Sequence, residues 1–317
     1  MMKMWRRLGM LLAFAGCFGL TAGAAEIAVP GEVLAPGQGI AESTQHLWPG
    51  YGLFTYSYED LYGGPQTVSI LKVDLNDPAL ELGIGVCPDD NRQTVSALGK
   101  RYHALAAVNA GYFNFSPSSA VGLLKVNGEM LCDALGGVDS SGYLYFTGSR
   151  VGVATPEEVN TGLGDNMRWS FPLLVKDGEI YDRIGDYDHT LQRHNRTAVG
   201  VTADNQLFLV VFDGRTPGRA IGVTCPQLAD FMKRLGCVDA INMDGGGSTT
   251  MWVESLGVVN HPTDNRKFDH AGERRVYDIL YVRLKSAAEL PLEPSAEEAP
   301  DSLDQTDPDN EAFTAAA

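Results

Sequence analysis

The chain has 317 residues, of which 44% are apolar, enough for one large core or two modest ones. Forty acidic against 24 basic side chains leave a formal net charge of −16. Neutralising a phosphate backbone needs a basic face, so this balance excludes nucleic acid as a partner.

Residues 1–24 read as an export signal. Lys3, Arg6 and Arg7 precede the apolar run "LGMLLAFAGCFGL", and Ala22-Gly23-Ala24 offers a small-residue cleavage site. The run is short for a membrane span, and no other stretch is long and apolar enough for one. A lipoprotein reading through Cys17 ranks second, because Phe14 fits poorly three residues upstream. The expectation is a secreted or cell-envelope-associated protein with no stable membrane insertion after cleavage. The same step removes Cys17 and leaves Cys87, Cys132, Cys225 and Cys237 as buried free thiols or one bridge.

Residues 25–64 are set apart as an N-terminal extension, Gly/Pro-punctuated up to residue 50 and ending in the strand-like "GLFTYSY" (52–58). A domain over 65–285 follows. It opens with the strand runs "QTVSILKVDL" (66–75) and "LELGIGVC" (80–87), separated by a turn at "DLNDP". Thr94 is placed to cap a short helix over 94–104, and "LAAVNAGYF" (105–113) is an apolar strand running into a glycine turn. Asn127-Gly128 and Asp177-Gly178 each sit between strand-like runs and predict two-residue hairpins. "TAVGVTADNQLFLVVFDGR" (197–215) reads strand, turn, strand. "TCPQLADFMKRLG" (224–236) is the best helix: Thr224 and Gln227 form a capping box, Gly236 stops it, and Leu228, Phe231, Met232 and Leu235 share a face. "VDAINM" (238–243) and "TTMWVES" (249–255) are strands into and out of a triple-glycine loop. "RRVYDILYVRL" (274–284) is apolar on both faces, hence central. The fold class is α+β: a mixed, mainly antiparallel sheet core with few short helices packed on it. From Ser286 to Ala317 nine acids and no Lys or Arg make an acidic tail expected to be disordered.

The loop "NMDGGGSTTMW" raises the functional question. No lysine follows the glycines as a phosphate-binding P-loop requires, and a strand rather than a helix follows, which rules out a dinucleotide fingerprint. A plain turn needs one or two glycines, and three cost more chain entropy. Two readings stay open: a glycine-rich hairpin with Asp244 bonded to its own loop, or bare backbone that lets a ligand approach the N–H groups of Gly245, Gly246, Gly247 and Ser248, next to Thr249, with Asp244 at the rim. Other polar residues end apolar strands: Asn109, Arg196, Asp213-Gly214-Arg215 and Glu273-Arg274. His189, His194 and His270 show no metal-ligand spacing, so neither metal nor other cofactor is expected.

Taken together, "AAVNAGYF" (106–113), "RTAVGVTADNQLFLVVFDGR" (196–215), "INMDGGGSTTMWV" (241–253), "VNHPTD" (259–264) and "ERRVYDILYV" (273–282) resemble the phosphodiester glycosidase family, over about residues 65–285. The chain departs at Ala110-Gly111-Tyr112-Phe113, where the family carries a second glycine and a Phe-Phe pair. The resemblance implies a hydrolase that cleaves a sugar, of the α-N-acetylglucosamine type, from the phosphate of a sugar-1-phosphodiester. Phosphate leaves readily, so such a site must hold an anion and support an oxocarbenium-like centre. Arg196, Arg215 and Arg274 then become candidate phosphate clasps. Asp244, Asp213 and Glu273 are the catalytic carboxylate candidates, with Asp244 central, and Asn109 is expected to bond the sugar. The carbohydrate or sugar-phosphate is the only partner expected. Two competing readings are a non-catalytic cell-envelope carbohydrate-binding protein and a glycosidase acting on an unphosphorylated polysaccharide.

Overall fold

The computed structural model describes residues 40–48, 50–135, 138–185 and 187–286. The expected export signal and nearly all of the expected acidic tail lie outside these residues.

Sheet dominates, with 43% of the described residues in strands and 11% in helix. The largest sheet has eight strands. In spatial order they are Ile40–Trp48, Tyr51–Tyr58, Gln66–Asp74, Gln206–Phe212, Arg196–Thr202, Cys237–Asn242, Leu173–Lys176 and Glu179–Ile180. A second sheet joins Gly257–Val258, Met251–Val253, Ala106–Asn109, Asp278–Leu284 and Leu80–Val86. A third holds Arg150–Ala154, Gly142–Thr147, Asn166–Ser170, Leu124–Val126 and Glu129–Cys132. Every strand pair among the described residues is antiparallel, so the expected mixed sheet is corrected to an antiparallel one. Tyr51–Tyr58 pairs along its whole length with Gln66–Asp74. The segment set apart as an extension therefore supplies sheet to the domain core.

Side-chain alternation explains the layers. Along Gln206–Phe212, Leu207, Leu209 and Val211 face one core, and Phe208, Val210 and Phe212 face another. The first core lies between the large and second sheets, where Leu71, Val199 and Ile241 join Ala107, Ile279 and Leu280. The second core lies under helix α2 (Cys225–Arg234), whose Leu228, Phe231 and Met232 are buried there with Val68 and Ile70. A strand buried on both faces must be apolar at every position, which is why this run carries no polar alternation.

Local signals hold where they depend on neighbours in sequence. Helix α1 (Val95–Arg101) starts at Thr94, whose hydroxyl accepts the Ala97 N–H, and α2 carries the Thr224/Gln227 capping box. Both hairpins form with positive φ at Asn127, Gly128, Asp177 and Gly178, as a primed turn requires. Asp278–Leu284 sits between two partners in its sheet, so it is central as expected. Cys87, Cys132, Cys225 and Cys237 form no disulfide, and burial pushes the Cys225 thiol up to about 11, away from the reactive thiolate.

Candidate active site

The triple-glycine loop is the passage between two sheets. Cys237–Asn242 belongs to the large sheet and Met251–Val253 to the second, and residues 243–250 carry the chain across. Backbone bonds fasten the passage: Met243 N–H donates to Thr197 O (2.8 Å), Asp244 N–H to Ala110 O (3.0 Å) and Gly246 N–H to Asn195 O (2.9 Å). Asn109, fully buried, clamps both ends. Its Nδ2 donates to Asp244 O (2.6 Å), while its Oδ1 accepts the Thr250 N–H (3.1 Å) and the Thr197 hydroxyl (2.7 Å). The expectation that Asn109 bonds a sugar is therefore corrected: its amide is spent on holding the loop.

Close approach explains each glycine. A Cβ on Gly245 would stand 2.8 Å from Asn195 O. One on Gly246, which has φ +62°, would stand 2.7 Å from Arg215 Nη2. One on Gly247 would stand 2.3 Å from Arg274 Nη2 and 2.5 Å from Asp264 Oδ1. The bare backbone thus admits two guanidinium groups. The N–H groups expected to cradle a ligand are largely committed elsewhere: Gly245 to the Asp244 carboxylate (2.9 Å), Gly246 to Asn195 O, and Ser248 and Thr249 to carbonyls of the same turn.

Arg215 and Arg274 open into a cavity of about 560 Å³, lined also by Thr263, Asp264, Arg266 and Phe268. Arg274 donates through Nε and Nη2 to Asp264 Oδ1 (3.1 and 2.6 Å). Arg215 makes one long bond, from Nε to His194 Nδ1 (3.4 Å). Two arginines in one concave site give the forked donors that phosphate oxygens take up.

The three carboxylate candidates separate in role. Asp244 lies deep beside this loop yet retains partial solvent access, and burial raises its carboxyl to about 6 against the pull of the Ser248 hydroxyl, the Gly245 N–H and Arg274. Asp213 is buried and fully engaged: Oδ1 accepts Asn260 Nδ2 (3.1 Å) and the His261 N–H (2.9 Å), and Oδ2 lies 2.7 Å from His261 Nδ1. Glu273 is turned toward helix α1, where it accepts the Ser96 N–H (2.9 Å) and hydroxyl (2.6 Å). It anchors the start of that helix. Arg196 also departs from expectation. It is 4% exposed and donates to the carbonyls of Val223, His189 and Gln192, so it braces a neighbouring loop and is not open to an anion. Its charge still acts on its neighbours: burial first, then Arg196 and Arg215, hold His194 below the usual imidazole range.

His261 escaped the sequence reading although it lies in the "VNHPTD" motif. It stacks on Phe268 with ring centroids 3.7 Å apart, and Phe268 is a wall of the cavity. The carboxylate–imidazole pair of Asp213 and His261 spans 48 residues, so spacing alone did not reveal it. Asp264 and Phe268 were likewise missed. No group of three or more His, Cys, Asp or Glu side chains arranged to hold a metal occurs among the described residues.

The antiparallel fold thus brings two cavity-lining arginines onto a glycine passage that follows a buried carboxylate. Residues 102–283 match the family model for phosphodiester glycosidase, and the chain belongs to that family. It is 27% identical to the N-acetylglucosamine-1-phosphodiester α-N-acetylglucosaminidases of Mus musculus and Homo sapiens, over 58% of this chain and 38% of each of those. It is 28% identical to an SPbeta prophage-derived protein of Bacillus subtilis, over 61% of this chain and 30% of that one. The chain thus spans about a third of the length of these relatives. Among solved structures, the zebrafish N-acetylglucosamine-1-phosphodiester α-N-acetylglucosaminidase catalytic domain, auto-inhibited by its pro-peptide, superposes with a TM-score of 0.60 at 21% identity, covering 78% of this chain and 88% of that one. A hypothetical protein from Synechocystis gives 0.57 at 15% identity, covering 78% and 64%. The fold is shared with both.

Proposed function

We propose that this chain is a hydrolase that splits a sugar-1-phosphodiester, of α-N-acetylglucosamine or a related envelope or polysaccharide glycan, into free sugar and a phosphomonoester. The observation that carries the reading is the convergence of Arg215 and Arg274, which line one cavity of about 560 Å³, on Gly246 and Gly247 of the loop that follows Asp244, whose carboxyl feels the Arg274 charge. Water adds across the C1–O bond: its oxygen ends on C1 and a proton on the departing phosphate oxygen. The arginines hold that phosphate and neutralise charge as the bond breaks. A phosphomonoester leaves with little proton donation, which suits a site where Asp213 and Glu273 are already committed. Asp244, in its ionised form, supports the developing positive charge at C1 as nucleophile or counter-charge. Asp213 acts as a positioning group for His261. The reading also places the mature protein outside the cytoplasm, on the strength of the signal-like residues 1–24.

The test is product analysis after incubation with a panel of sugar-1-phosphodiesters. Wild type should release free sugar and phosphomonoester, and Asp244→Asn should bind while its turnover falls on the order of 10³-fold. Binding without release in wild type would leave a carbohydrate-binding protein. Equal turnover of glycosides lacking phosphate would leave an ordinary glycosidase.

A further inference from the structure

The cavity's cationic surroundings extend past the two arginines over the glycine loop. Beyond Arg274, the hairpin of Phe113–Phe115 and Ser118–Ala120 presents Phe115, 59% exposed. The Arg274 guanidinium lies 5.7 Å from the Phe115 ring centroid, and Arg92 lies over the same ring at 4.5 Å. Beyond Arg215, the wall residue Phe268 carries Arg219 over its ring at 5.3 Å. Arg266 lines the cavity as well. Arg92, Arg215, Arg219 and Arg266 have no carboxylate partner among the described residues, in a chain of net charge −16. Nη1 of Arg92 is buried with no acceptor.

A chain this acidic has carboxylates to spare for screening a basic patch, yet the ion pair around this cavity is the single one of Asp264 with Arg274, and the other four arginines go without among the described residues. One phosphate needs two arginines, and the Arg215/Arg274 pair meets that need. Arg92 and Arg219 each set a cation beside an aromatic face, Phe115 in one case and Phe268 in the other. Aromatic faces pack against the C–H faces of sugar rings, and unpaired guanidinium groups take phosphate. Resting on the function proposed above, we infer that the cleft binds a glycan chain whose sugars are bridged by successive phosphodiesters. The cleaved bond sits over the glycine loop, and neighbouring repeats extend to Phe115 with Arg92 and to Phe268 with Arg219. The local field of the rim concentrates such a polyanion in spite of the negative whole.

Calorimetric binding to the Asp244→Asn protein tests this with three probes: a single sugar-1-phosphodiester, a chain of four sugars bridged by three phosphodiesters, and inorganic polyphosphate of matching charge. The chain should bind about tenfold or more tighter than the single unit, and its affinity should fall more steeply with salt. Arg92→Ala, Arg219→Ala and Phe115→Ala should each erode that preference several-fold. Equal affinities and salt dependences for chain and single unit would overturn the inference. So would polyphosphate binding as tightly as the chain, or chain affinity unmoved by all three variants. Turnover of the single unit by wild type is scored separately. Chain binding without turnover refutes the hydrolytic reading and leaves the extended cleft standing, while turnover without chain preference does the reverse.

Discussion

Asp244 is held near a carboxyl value of about 6 by burial, well above the ordinary 3.8. A raised carboxyl means that the native state keeps a proton the unfolded chain has already released, so stability is highest below the unfolded value and is lost as pH rises through the folded one. Ionised Asp244 therefore strains the fold at neutral pH. Asp244→Asn removes that ionisation. Chemical denaturation should find it more stable than wild type by about 3 kcal/mol at pH 8, the gap closing as pH falls from 6 toward 4. Turnover should show the opposite preference, with the rate falling as pH drops below about 6 and the carboxylate is neutralised. A variant no more stable at pH 8 than at pH 4, relative to wild type, would remove burial as the cause.

At the scale of elements, the loop separates what neighbours determine from what distance determines. The Asn-Gly and Asp-Gly hairpins and the capping box on α2 are readable because every participant lies within four residues. The triple glycine is visible as an oddity, but its cause is not, since Arg215 and Arg274 reach it from other strands' ends. The same distance hides Asn109, whose partners lie 88, 135 and 141 residues away, and it turns Arg196 and Glu273, plausible as ligand contacts by position, into braces for neighbouring backbone. Gly247→Ala should raise KM about tenfold or more with the fold kept, because the methyl displaces the Arg274–Asp264 pair. Gly128→Ala is the control, with nothing within 4 Å of its Cβ and only a positive φ of +87° to strain, and it should leave KM alone. Asn109→Ala strands three buried partners and should cost about 2–4 kcal/mol in unfolding free energy, with turnover lost alongside.

Across the whole molecule, the antiparallel sheets were legible because period-2 alternation and two-faced apolar runs are properties of single strands. How the sheets meet was not, and there the fold places a fully buried ion pair. Arg168, in the third sheet, reaches Asp278, in the second, through Nε at 2.5 Å, and both side chains are 0% exposed. Its other nitrogens donate to the carbonyls of Val121, Tyr112 and Trp169. A Cβ on Gly111 would stand 2.2 Å from the guanidinium carbon, so the "Asn-Ala-Gly" turn is shaped to let this arginine pass. The pair also reaches the active site electrostatically, since the Asp278 charge adds to the upward shift of Asp244. Asp278→Asn should therefore act twice. Arg168 loses its counter-charge in the interior, which should lower stability by about 3–5 kcal/mol. The acid limb of the pH–rate profile should move to lower pH, because Asp244 then ionises more readily. Arg168→Met makes the contrasting case: it leaves Asp278 buried without its cation, should destabilise comparably, and drives Asp278 to take up a proton. That too lifts its charge from Asp244 and should move the limb the same way. If the limb stays fixed in both variants while stability falls, the pair joins sheets and nothing more.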